Sequence, residues 1–380
     1  MSPSPSSRSF VSILAACLAG CSGGAFRAPP PLASIPLPSG SALRPWSSAN
    51  PTRAAPAVLA FGPGGSAFVA LSNLDDSFNP GGPGMLVRVQ PETGATTVIL
   101  LGGADDHACT NSGVVRNDGN RLLAVCAGSF SPDELRGRAV VEVDPGSNTP
   151  LRIATSPGGF QPSYVAGAPN KIWVGDFGSA RLYSLDRTTF AIVDGADAAH
   201  PPIQLPCPAS LTYVADLLVH GNDLFALCGA DEGYLVRLDP ESGALKGDKV
   251  LVGAQPTAMT VAGDGRLAVV NSVSGTLTMV TIATQSLTAA VDFFSFGKSA
   301  ALQDVRARGQ FLYTVASATN TVQKLDLSVA DPAKMLVAEV NTGDQSNPWN
   351  ILPLDDDQAV VSNFLKGNIV GVDFRAGAAP

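Results

Sequence analysis

Charge is scarce in this chain. Asp, Glu, Lys and Arg make up 15% of its 380 residues, against about 25% in typical soluble proteins. The net charge is −8 and no run of basic residues occurs. That balance argues against a nucleic-acid partner, because phosphate binding needs clustered Lys and Arg. Histidine is scarcer still: His107, His200 and His220 stand in separate segments. No HxH, HExxH or CxxC spacing is present, so the common zinc sites are excluded. Gly-x-Ser-x-Gly is absent, and with it the nucleophile elbow of α/β-hydrolases. The strings Gly62-Pro63-Gly64-Gly65 and Gly81-Gly82-Pro83-Gly84 lack the lysine of a phosphate loop and read as turns. No helix-length amphipathic stretch occurs.

Glycine and proline, by contrast, are abundant, at 39 and 30 residues, and are spread along the whole chain as frequent turns. The first residues read as an address. Arg8 precedes the apolar stretch Phe10–Leu18, too short to cross a bilayer but of signal-peptide length. Leu18-Ala19-Gly20-Cys21, followed by Ser22-Gly23-Gly24, resembles a bacterial lipobox. Residues 1–20 are therefore expected to be removed and Cys21 to carry diacylglycerol and palmitate-type chains. Several acyl chains anchor a protein stably where one does not, so a cell-envelope location is expected. Ser22, rather than Asp, after the cysteine points to the outer membrane. Residues 21–50 are rich in Pro, Ser, Ala and Gly and read as a tether, interrupted by one apolar patch, Leu32–Leu37.

From residue 51 to the end one pattern recurs: an apolar strand, an Asp or its substitute, then a turn. Leu86-Val87-Arg88-Val89-Gln90-Pro91-Glu92-Thr93-Gly94 is almost repeated by Leu235-Val236-Arg237-Leu238-Asp239-Pro240-Glu241-Ser242-Gly243. The aligned positions are 90, 144, 186, 239, 281, 326 and 373. A second strand precedes each, as in Lys171–Asp176, Leu267–Asn271 and Ala359–Asn363. Four short strands per unit at this period describe a blade of a β-propeller. Seven units predict an all-β, seven-bladed propeller. The last unit ends at Asp373-Phe374, one strand short. An open ring would leave raw sheet edges, so Leu32–Leu37 is expected to supply the missing outer strand.

Leu312-Tyr313-Thr314-Val315 followed by Asn320-Thr321-Val322-Gln323-Lys324-Leu325-Asp326 resembles the repeat of YVTN and lactonase-like propellers. Gln255-Pro256-Thr257, opening a unit that runs to Asn271-Ser272, is similar. The resemblance covers roughly residues 56–375 and implies the fold. Lactonase-like members are enzymes and others are surface or scaffold proteins, but no lactonase active-site set maps onto this chain.

Four cysteines remain beyond Cys17 and Cys21, and four allow three connectivities. Cys126 and Cys228 occupy the same place in their units, each with a companion near its unit's start. The expected bonds are Cys109–Cys126 and Cys207–Cys228, since a bridge needs Cα atoms within about 7 Å. Asn73, Asp176, Asn271 and Asn363 recur at the end of the second strand, where they either cap loop backbone or touch a ligand. Asp75 and Asp76 lie in a long loop that is a candidate Ca2+ site without EF-hand spacing. Asp105-Asp106-His107 is the densest polar cluster and Asp355-Asp356-Asp357 reads as a solvated turn. Insertions at Leu74–Gly84, Ala104–Thr110, Ser129–Arg138 and Asp194–Ser210 collect on one face of the ring. Asp75, Asp76, Asp105, His107 and His200 should therefore surround the channel mouth on the functional face. With no catalytic set in sight, the leading reading is a monomeric, membrane-anchored, non-catalytic module that binds a protein or small molecule. The alternative is a lactonase-like or metal-dependent enzyme using loop carboxylates.

Overall fold

The computed structural model describes residues 32–48, 51–131, 134–208, 212–284 and 286–375; the leader and Cys21 lie outside them. Seven four-stranded antiparallel sheets form a seven-bladed propeller. Blade 1 runs outward from Pro56–Phe61 through Ala67–Leu71 and Met85–Val89 to Thr96–Leu100. Blades 2 to 6 follow the same order over 112–155, 162–204, 213–253, 256–295 and 302–341. Blade 7 is built from Pro348–Pro353, Gln358–Asn363 and Asn368–Asp373, and takes Leu32–Pro36 as its outer strand. Leu32 lies opposite Gly371, Ile35 opposite Ile369 and Pro36 opposite Asn368. The N-terminal strand thus closes the ring, as the missing strand of the last unit requires.

Burial explains the strand patterns. Second strands pack on both faces and are continuous apolar runs, fully buried in Ala67–Leu71 and Leu267–Asn271. Outer strands have one open edge and mix exposed with buried positions, as Thr149–Thr155 does. All seven inner strands carry a register shift near their third residue, for example between Pro56 and Leu59, Val214 and Asp216, and Leu302 and Asp304. Such bulges add twist and re-aim side chains. Pro56, Pro162, Pro256 and Pro348 open four of these strands, where a ladder tolerates proline.

Turns between first and second strands, and between third and fourth, share one face of the ring. Connections from second to third strand, and between blades, share the other, the loop face. Leu74–Gly84, Ala104–Thr110 and Ser129–Arg138 lie on that loop face. Asp194–Ser210 does not follow the expectation. Ile192 bridges Leu185, and Ile203–Gln204 pairs with Arg181 and Leu182. The intervening residues, His200 included, therefore interrupt the outer edge of blade 3. No further strand pairs beyond that edge, so an excursion costs few hydrogen bonds.

Both disulfides form as the repeat positions imply. Cys109–Cys126 and Cys207–Cys228 have Cα separations of 5.3 and 6.4 Å. Each ties an incoming inter-blade connection to the end of its blade's second strand. For loops of 17 and 21 residues each is worth about 3 kcal/mol in the chain-entropy picture.

The recurrent aspartate has a local cause. Asp144, Asp186, Asp239, Asp326 and Asp373 each accept a backbone N–H from the turn that follows, from Gly146, Thr189, Ser242, Ser328 and Arg375 among others. These bonds stabilise the ionised form. The Ser242 N–H leads in holding the Asp239 carboxyl down at about 2. A carboxylate whose pKa falls on folding contributes stability at neutral pH and loses it as pH drops through the folded value. Thermal melts should therefore show the midpoint falling between pH values of about 4 and 2. Asp239→Asn should flatten that slope, and an unchanged slope would refute the cap.

Candidate functional site

The inner strands surround the central channel, and their third residues are chemically distinctive. In blades 6 and 7 this residue is Asp304 or Asn350, and in blade 4 the fourth residue, Asp216, takes the same place just past the register shift. Each accepts the backbone N–H of the next blade's inner strand: Met259 at 3.0 Å, Ile351 at 3.1 Å and Leu59 at 2.9 Å. An innermost strand has no ladder partner on its channel side, and these side chains supply one.

Two residues further along, blades 2 and 6 carry arginines. Arg306 Nε lies 3.0 Å from Asp304 Oδ2. Arg116 of blade 2 reaches Asp216 of blade 4 at 2.6 Å. Blade 3 lies between them, so the guanidinium must cross the channel, and its Cζ sits 5.7 Å from the Tyr164 ring of that blade. Burial pushes the Asp216 carboxyl up, against the pull of Arg116. Burial alone would lower the Arg116 pKa, but Asp216, Tyr164 and Asp304 around it raise it instead. The Tyr164 hydroxyl is raised by burial and then by Asp216, so it stays protonated. This group forms a floor across the channel.

Above the floor, on the loop face, the mouth is aromatic. Phe130 and Phe177 follow the second strands of blades 2 and 3, and Tyr213 opens blade 4. Their rings run in series, with centroids 6.2 and 5.3 Å apart. Tyr213 lies flat over Gly229, where a Cβ would strike its ring. Burial holds its hydroxyl up at about 12. A second run joins Trp349 to Phe364, 5.2 Å apart in blade 7, with Leu74 and Phe78 of blade 1 packed alongside. Phe78, Phe130, Phe177, Tyr213 and Trp349 are half-buried. The arrangement offers stacking faces over a charge-compensated base.

The residues singled out from sequence divide into three groups. Asn73, Asp176, Asn271 and Asn363 are buried, at 0–1% exposure. Asn73 donates to Leu43 and Pro83 carbonyls, Asn271 to Val252, and Asn363 to Asn368. Asp176 accepts the Gln161 and Gly178 N–H groups and pairs with Arg181 at 2.6 Å. Asp75, Asp76, Asp105 and His107 gather beside the strap that leads from the closing strand to blade 1. Asp75 accepts Ser77 and Asn79 N–H groups, Asp76 pairs with Arg53, and Asp105 accepts the His107 N–H. Within the strap, Arg44 pairs with Asp106, and the Trp46 ring stacks on His107 at 4.2 Å. His200 stands apart on the blade 3 rim, paired with Asp197. Among the described residues, no group of three or more His, Cys, Asp or Glu is placed to hold a metal ion. On the opposite face, Asp355, Asp356 and Asp357 line a hollow of about 320 Å³ with Arg308, Gln358 and Arg375.

The floor escaped the sequence reading. Its trace was present as isolated charges in otherwise apolar inner strands: Arg116, Asp216, Asp304 and Arg306. Asp304 and Arg306 pair within one strand, but Arg116 and Asp216 come from different blades, so no local spacing announces their pairing.

Fold and channel together define a β-propeller. No protein-family model matches the chain, and no curated protein matches it by sequence. Solved structures do. A streptogramin B lyase shares 12% identity, with 90% of this chain and 97% of that one covered, at a TM-score of 0.65. Virginiamycin B lyase from Staphylococcus aureus shares 14%, covering 84% and 94%, at 0.61. The RRP9 WD40 repeats share 10%, covering 87% and 99%, at 0.61. At such identities the likeness is one of fold, and it spans both an enzyme and repeat modules.

Removing one member of a buried ion pair strands the other. Arg116→Met should destabilise the protein by about 3 kcal/mol in urea titrations. Adding Asp216→Asn, which keeps the acceptor for the Met259 N–H, should recover much of that loss. A single variant costing below about 1 kcal/mol, the range of exposed pairs, would remove the strut.

Proposed function

We propose that the chain is a non-catalytic binding module of the cell envelope, lipid-anchored through Cys21, with its ligand or protein partner docking at the aromatic mouth. The observation that carries this reading is how the polar groups inside the ring are used. Asp216 and Asp304 are each committed to a backbone N–H of the next blade and to an arginine. They act as struts, and the rings above them form a half-buried aromatic cluster at the surface. Aromatic side chains in such settings dominate interface energetics. The YVTN-like repeat and the lipobox-like start of the chain agree with an exported interaction module, and outer-membrane placement follows from Ser22.

Two measurements test it. Mass spectrometry of the mature protein should find Cys21 acylated and N-terminal; an unmodified end elsewhere sinks the anchor. A photo-crosslinking residue in place of Phe177 should capture a discrete partner in intact cells, while one in place of Asn222, on the short-turn face, should not. Adducts from position 222 alone would move the binding surface to the other side.

A further inference from the structure

The closing strand has a direction, and that direction sets how an anchored ring would sit. The third strand of blade 7 runs from the loop face at Asn368 to the short-turn face at Asp373. Leu32–Pro36 is antiparallel to it, with Leu32 opposite Gly371 and Pro36 opposite Asn368. Leu32 therefore lies toward the short-turn face, and the chain ahead of it enters from that side. The other end is pinned on the loop face. Leu43 holds Asn73, Arg44 pairs with Asp106, and the Trp46 N–H donates to Gly81. The strand cannot slide without breaking these contacts.

We propose that the anchor presents the short-turn face of the propeller to the lipid and turns the aromatic mouth away from it; this rests on the anchored reading above. Cys21 lies eleven residues before Leu32, a reach of at most roughly 36–40 Å. Turning the loop face to the bilayer would send that segment back along a strand of about 17 Å, then past the loops. Nearly half of the reach would be spent on the climb, and the mouth would press on headgroups. Approach by the short-turn face spends none of it. That face is also suited to a headgroup layer. Some of its carboxylates carry their own cations, as in Asp264–Arg266, Asp373–Arg375 and Asp357–Lys324, which tempers its repulsion from the surface. The partner captured at the mouth is then one in the aqueous compartment, not a lipid.

The test uses acylated full-length protein reconstituted into phosphatidylethanolamine–phosphatidylglycerol vesicles that carry a headgroup quencher. Asn120→Cys places a fluorophore on the short-turn face, and Ser77→Cys places one on the loop face; both sites are exposed. The label at 120 should lose several-fold more fluorescence than the label at 77. Inserting about 20 Gly and Ser residues before Leu32 should shrink that difference, since flexible linkers lengthen reach. Equal quenching, or stronger quenching at 77, overturns the orientation. A Cys21→Ser control separates the two ideas. If the acylated protein fails to bind vesicles any better than this control, the anchor itself is wrong and the orientation falls with it.

Discussion

A propeller is held together at the one place where its two chain ends must meet, because every blade packs only on its neighbours. Here that place is the contact between blades 7 and 1. Hydrophobic packing across it joins Ile35, Leu352, Val360 and Ile369 to Leu59, Val69 and Val87. Polar bonds fix the register: Leu59 N–H to Asn350, and Ser362 to the Ala57 carbonyl. The closing strand completes blade 7, and the strap beyond it runs over the loop of blade 1 to the blade 1–2 connection. Loss of the strand would leave the third strand of blade 7 as a raw edge and release the strap together. The N-terminal segment is thus at once the closure and the route to any anchor.

The inner ring solves a related problem. Channel-facing strand edges lack ladder partners, and unpaired buried amides are costly. Asp216, Asp304 and Asn350 answer for three junctions by reaching forward to the next blade. Two of these answers bring a negative charge into a dry site. Arg116 and Arg306 then become necessary, because an uncompensated buried carboxylate would cost several kcal/mol. The cross-channel reach of Arg116 follows from this requirement: its partner is two blades away, and the shortest path is through the centre.

How much of this could be read in the chain depends on whether the cause is local. The turn-capping aspartates act within a few residues, so they print a repeat. The closing strand was legible because Leu32–Leu37 is one apolar patch in a stretch otherwise rich in Pro, Ser, Ala and Gly. The disulfides were legible because Cys126 and Cys228 hold equal positions in their units. The floor was not: Arg116 and Asp216 are one hundred residues apart. Nor was the mouth, since Phe130, Phe177 and Tyr213 come from three different blades. The excursion carrying His200 was misplaced because an outer edge imposes no register that a sequence pattern must respect.

Within the loop face, buried capping side chains and half-buried rings play different parts. Asn73, Asp176 and Asn271 read in sequence either as caps of loop backbone or as ligand contacts, and their amide and carboxylate groups hold incoming connections in place, as when Asn271 Nδ2 donates to the Val252 carbonyl of the preceding blade. The side-chain donors of the two asparagines are engaged by backbone, and disturbing them disturbs the scaffold. The rings of Phe177, Tyr213 and Trp349 are in the opposite position. They are half-buried and packed against neighbouring rings, which fixes their orientation at little further entropic cost on binding. On the proposed reading, rigid aromatic faces above an ion-paired floor favour shape and stacking over charge as the basis of recognition.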